Sequence, residues 1–173
     1  THSPLLPENI TLNVRDWYYS IALALSPLAF ILTAPLMGHL SDKLGRKKTL
    51  CFGLVAALLG FLLPILGIMT RQLSLIFVGR FIAGASSSTQ PVAQAAIADF
   101  TSGKRKAYYL SCIAFAMTLA MVLGPLAGGY LSDPNMLHWF NVQTPYWAGA
   151  LLAVFNIVLL FMYFQEQHTP SLA

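Results

Sequence analysis

The chain has 173 residues, of which 57% are hydrophobic and only 9% charged, with a formal net charge of +4. A soluble domain carries about 25% charged residues, so this composition excludes an ordinary globular domain and places the chain in a membrane. The positive balance does not point to nucleic acid, because seven of the ten cations lie in two short clusters between apolar runs.

Residues 1–16 read as an outer loop that follows an earlier helix not contained in this sequence. They include the triplet Asn9-Ile10-Thr11, which has the form of a glycosylation acceptor. Five apolar segments follow, from about Trp17 to Leu40, Thr49 to Met69, Leu73 to Ala98, Ala107 to Leu131 and Pro145 to Phe164. Each is long enough to cross a hydrocarbon core ~30 Å thick. Backbone polar groups inside lipid must be paired within the segment, so these spans are expected to be helices. The expected fold is an all-α membrane bundle of five transmembrane helices over residues 17–164. Cys51 and Cys112 lie in apolar surroundings and read as packing residues.

Charge sets the expected direction. The connection after the first span holds Lys43, Arg46, Lys47 and Lys48, and the one after the third holds Lys104, Arg105 and Lys106. The connection after the second has only Arg71, and the stretch from Ser132 to Thr144 has no Lys or Arg. Because positive charge is retained on the cytoplasmic side, the first and third connections are expected in the cytoplasm and the N-terminus outside. Trp17, Tyr18, Tyr19, Trp139, Tyr146 and Trp147 would form an outer aromatic belt, and Tyr108, Tyr109, Tyr163 and Phe164 would lie near the inner surface.

The first connection concentrates the chain's charge in GHLSDKLGRKK, Gly38 to Lys48. Gly38 is small enough to admit a neighbouring helix, and Gly45 permits a tight turn. Asp42 is placed to accept hydrogen bonds from the open N-terminus of another helix. Arg46 can make a forked pair with a carboxylate, and Asp99, closing the third span on the same side, is the available partner. Lys43, Lys47 and Lys48 read as a solvated positive edge. The spacing resembles the signature of the major facilitator superfamily between its second and third helices. The resemblance implies that Gly38, Asp42, Gly45, Arg46 and Asp99 form a cytoplasmic gate that favours the outward-open state and breaks as the transporter turns inward.

The third span opens with IFVGRFIAGASSS. Arg80 is the one ionisable residue well inside a span. Arg at a helix centre costs ~2.5–3.5 kcal/mol on insertion scales, which suggests a use facing the bundle interior. Arg80 and Gly84 resemble the family's fourth-helix motif, although Ala83 and Ser86 stand where Gln and Gly are frequent. The resemblance implies a role for Arg80 in proton coupling. The fourth span carries GPLAGG: Pro125 should bend the helix, and Gly124, Gly128 and Gly129 should admit a close neighbour. This resembles the antiporter motif of the family's fifth helix, with Ala120 and Ser111 at upstream glycine positions.

Together these stretches resemble the second to sixth helices of a twelve-helix drug:proton antiporter of the tetracycline-efflux type, and residues 165–173 resemble the start of its central cytoplasmic loop. The resemblance implies export of a drug-like or amphipathic small molecule by alternating access in a bacterial inner membrane. It implies no cofactor beyond the proton gradient, and as partners the bilayer, the substrate, a first helix and a C-terminal six-helix half. Two alternatives stay open: export of a metabolite such as a sugar or siderophore, and a non-transporting half that acts as a membrane scaffold. An enzyme is not expected, because no Ser has a nearby base and no phosphate-cradling Gly loop carries a Lys. His2, His39, His138 and His168 lack the spaced companions that a metal site needs. Polar residues in apolar walls mark candidate substrate contacts: Gln90 and Gln94, four apart on one helix face, with Thr89 and Asn156. Phe115, Met117 and Met121 could supply adaptable apolar contacts. No carboxylate lies inside a span, since Asp16, Asp42, Asp99, Asp133 and Glu166 all fall at span ends. In the resembled family the proton-carrying acid is commonly on the first helix.

Overall fold

The computed structural model of the protein describes residues 12–133, 135, 136, 138 and 140–164. The triplet at Asn9, His2, Trp139, Glu166, His168 and the stretch 165–173 lie outside the described residues. Among the described residues there are six helices, in order α1 Leu12–Leu44, α2 Arg46–Thr70, α3 Leu73–Ser87, α4 Gln90–Phe100, α5 Gly103–Ser132 and α6 Thr144–Tyr163. No strand occurs among the described residues. Asp16–Leu44, α2, α5 and α6 are each long and apolar enough to cross a membrane. The protein is an all-α, multi-pass membrane protein.

Three boundaries differ from the sequence expectation. First, α1 begins at Leu12 and continues to Leu44, so Ser41, Asp42 and Lys43 belong to its last turn and Gly45 alone joins it to α2. Second, α5 begins at Gly103, which places Lys104, Arg105 and Lys106 in a first turn without acidic residues. In both places the helix outruns its apolar stretch, because charged side chains at a membrane surface do not oppose helical backbone.

Third, the segment expected as one span from Leu73 to Ala98 is two helices, α3 and α4, interrupted at Ser88 and Thr89. The cause is local. The amides of Ser88 and Thr89 reach back three residues, to the carbonyls of Ala85 and Ser86 at 3.2 and 3.1 Å. Four successive hydroxyls also bond back onto the chain: Ser86 to Ala83 O at 2.7 Å, Ser88 to Ala85 O at 2.6 Å and Thr89 to Ser86 O at 2.8 Å, three residues back, and Ser87 to Ala83 O at 3.0 Å, four back. Such back-bonding bends helices. Pro91, in the first turn of α4, has no N–H to give the carbonyl of Ser87.

The tightest packing joins α1, α2 and α3, and it rests on small residues. A side chain at Gly84 would land on the backbone carbonyl of Ser26, and one at Gly60 would sit 2.9 Å from the backbone of Ala83. A side chain at Gly79 would sit 2.5 Å from the ring of buried Pro64. The Ser26 hydroxyl donates to Arg80 O at 2.9 Å, so α1 and α3 are also hydrogen-bonded where they cross. Buried apolar residues are mostly alanines: Ala29, Ala96, Ala150 and Ala153, with Ile65 and Val92. Lipid tails are as apolar as leucine, so helices in a membrane gain by close approach rather than by hiding large side chains. α6 lies along α2, where Gly149 makes room for the ring of Phe61. α5 rests only lightly on α4 and α6 and buries no residue.

Candidate functional site

The ion pairs of the described residues gather at one end of the bundle, where α1 stops, α2 starts and α4 ends. Gly45 has φ 94° and ψ 157°, a region open essentially only to glycine. That turn points α2 back along α1 and brings Arg46 beside the last turn of α1. Arg46 Nη1 donates to Ser41 Oγ at 2.8 Å and lies 3.6 Å from Asp42 Oδ1. Its Nη2 lies 3.2 Å from Asp99 Oδ2 at the end of α4. One guanidinium therefore ties three helices. It does so by bridging two carboxylates, not by the forked pairing with one that the sequence suggested. Asp42 also departs from its expected part: α2 has no side-chain cap, and the Asp42 carboxylate faces Arg46 across one helical turn.

The two carboxylates are 70% and 59% exposed against 29% for Arg46. Water can therefore compete for both ion pairs, and each is worth little individually. A cluster of this kind is suited to opening and closing. The expected neighbour for Gly38 is not found among the described residues, since a side chain there would meet nothing within 4 Å.

Three contacts escaped sequence reasoning. Ser41 is buried and anchors Arg46. Thr49 is fully buried and its hydroxyl donates to Gly45 O at 3.0 Å, fixing the turn from the other side. Lys47, read as solvated, has its ammonium 5.8 Å from the ring centre of Phe161, which joins α6 to the cluster. The Ser and Thr positions carry no charge signal, and the cation–π contact depends on which helix lies alongside.

Next to this cluster lies an open groove of about 630 Å³ between α2, α4 and α6. Thr89, Gln90 and Asn156 line it, with Leu50, Leu159 and Tyr163 among its other walls. Gln94 is not in it. The Gln94 amide donates to Met117 Sδ at 3.8 Å and ties α4 to α5. The two glutamines share a helix face in sequence but have different neighbours, because one turn along α4 the adjacent helix changes. Asn156 Nδ2 donates to Leu152 O within its own helix at 2.8 Å.

Arg80 is half-buried on α3 and makes no ion pair among the described residues. α5 runs through Pro125 as one helix, and side chains at Gly124, Gly128 or Gly129 would meet nothing within 4 Å. The close neighbour expected there is not one of the described helices.

The sequence model of the Major Facilitator Superfamily matches residues 1–173. The chain belongs to the Major Facilitator Superfamily. Its relatives in that superfamily include the class H tetracycline resistance protein of Pasteurella multocida, 30% identical over 94% of this chain and 38% of that protein. The class C tetracycline resistance protein of Escherichia coli is 33% identical over 87% of this chain and 36% of its own length. A triacylglyceride transporter of Mycolicibacterium smegmatis is 34% identical over 77% of this chain and 23% of its own length. The chain thus spans less than two-fifths of the length of these relatives. No solved structure matches it. Within a superfamily of transporters, the Gly45 turn and the Arg46 bridge are where the sequence motif and the three-helix contact coincide.

Proposed function

We propose that this chain forms most of the N-terminal half of a proton-coupled exporter of drug-like or amphipathic molecules. It would work by alternating access together with a first helix and a second six-helix half. The observation that carries the reading is the Arg46 bridge from Asp42 to Asp99 across the Gly45 turn. Weak, solvent-accessible ion pairs between helix ends suit a gate that opens once per cycle. In this reading the bridge lies on the cytoplasmic face of a bacterial inner membrane, because the cations of both clusters are best retained there. Arg80 serves proton coupling with an acid supplied from elsewhere in the protein, and Gly124, Pro125, Gly128 and Gly129 seal α5 against a helix outside this chain. Gln90 and Asn156 offer uncharged hydrogen bonds to a substrate whose body lies on Leu50 and Leu159, while Gln94 has a structural part beside Met117.

The resistance proteins among the relatives favour tetracycline-like substrates. The triacylglyceride transporter supports a second reading, in which the cargo is a lipid-like metabolite. Proton-gradient-driven uptake into inverted vesicles carrying the complete gene product tests both. Uptake of a tetracycline that collapses with an uncoupler supports the first, and uptake of a fluorescent acylglycerol alone supports the second. No gradient-dependent movement of either overturns the proposal.

A further inference from the structure

The interruption between α3 and α4 sits between a fixed part and a held part of the bundle. On one side, α3 is packed closely by the Ser26 backbone at Gly84, by Gly60 at Ala83 and by the Pro64 ring at Gly79, and it carries the Ser26–Arg80 hydrogen bond. On the other side, α4 makes fewer contacts with α1 and α2, and Asp99 in its last turn is tied to Arg46 by one exposed ion pair. Between them the Thr89 side chain rests directly on the buried backbone of Gly53 in α2. The backbone around that seat depends on bonds that reach back three residues and on four hydroxyls, and Pro91 withholds one amide. Ser87, Thr89 and Gln90 at this point also line the groove.

From this arrangement we infer that Ser86 to Pro91 is a hinge with its pivot at Thr89 on Gly53. α4 swings about it as a unit while α3 stays fixed, and the Arg46–Asp99 pair holds the closed position. The swing changes the width of the groove and the state of the ion-pair cluster together, because both are attached to α4. The inference rests on the reading of the Arg46 cluster as a gate. It adds that the gate opens by bending within one span, not by moving that span as a rigid rod.

Amide hydrogen exchange on the complete protein in lipid nanodiscs tests it. In the unaltered protein, amides of residues 92–100 should exchange about tenfold faster than those of residues 76–84, as expected for a segment that opens independently. Asp99→Asn should speed exchange of residues 92–100 by about threefold and leave residues 76–84 unchanged. Pro91→Ala, or Ser88→Ala with Pro91→Ala, should slow residues 92–100 and abolish the acceleration by Asp99→Asn. Equal exchange in the two segments overturns the hinge. So does the same acceleration by Asp99→Asn in both backgrounds, which would mean simple fraying at the helix end. Exchange is read without transport, so efflux can fail while the hinge stands, and the hinge can fail while efflux stands.

Discussion

Gly84 on α3 and Gly128 on α5 look alike in sequence: each lies among small residues in an apolar run. In the structure they are opposites. At Gly84 the backbone of another helix fills the space a side chain would need, whereas a side chain at Gly128 would meet nothing within 4 Å. The difference shows that a small residue in a membrane helix grants permission for contact and nothing more. Whether the contact exists depends on which helix crosses there. The α1–α2–α3 group has used its glycines, and α5 has not used its own within this chain.

Substitutions can break or sharpen that contrast. The largest effect is expected from Gly84→Val, which forces α1 and α3 apart and should cost about 3 kcal/mol, measured as a drop in thermal unfolding temperature or loss of monodisperse protein. Ordinary stability in that variant would mean that the crossing is not tight. Gly45→Ala places a side chain at φ 94° and should cost about 2 kcal/mol; under the proposed function it should also slow transport by the complete protein with substrate affinity nearly intact. Arg46→Ala removes the three-helix bridge, but its carboxylates are exposed. About 1 kcal/mol is expected, shrinking in high salt, and a salt-independent loss would show that the Ser41 bond dominates. Smallest of all, Gly128→Ala should change stability by no more than ~0.5 kcal/mol in this chain. A clear loss for that substitution in the complete protein, against none in this chain, would identify α5 as a covered surface there.

Much of the fold was legible because membrane helices announce themselves by length and hydropathy. The apolar runs and the charge clusters between them gave the order of the spans, and the Gly45–Arg46 spacing located the cluster that the structure assembles with Asp99. The break at Ser88 was written in the sequence as ASSSTQP and passed over, since hydropathy averages across a few hydroxyls while hydrogen bonding does not. Gln90 and Gln94 were grouped by helical spacing, a one-dimensional criterion that cannot say which neighbour each meets. Lys47 was read as solvated for the same reason, because Phe161 lies more than a hundred residues away in the chain.

By itself, then, the amino-acid order determined that this protein is helical, lipid-embedded and charged at one set of helix ends, because each of those properties follows from local composition and the need to pair backbone groups inside a membrane. Only the tertiary arrangement decided that Arg46 bridges two carboxylates instead of gripping one, that Thr89 seats on Gly53, and that α3 is clamped while α5 is bare. Those outcomes depend on helix crossings, and a crossing is set by the mutual fit of two surfaces that are far apart in the chain.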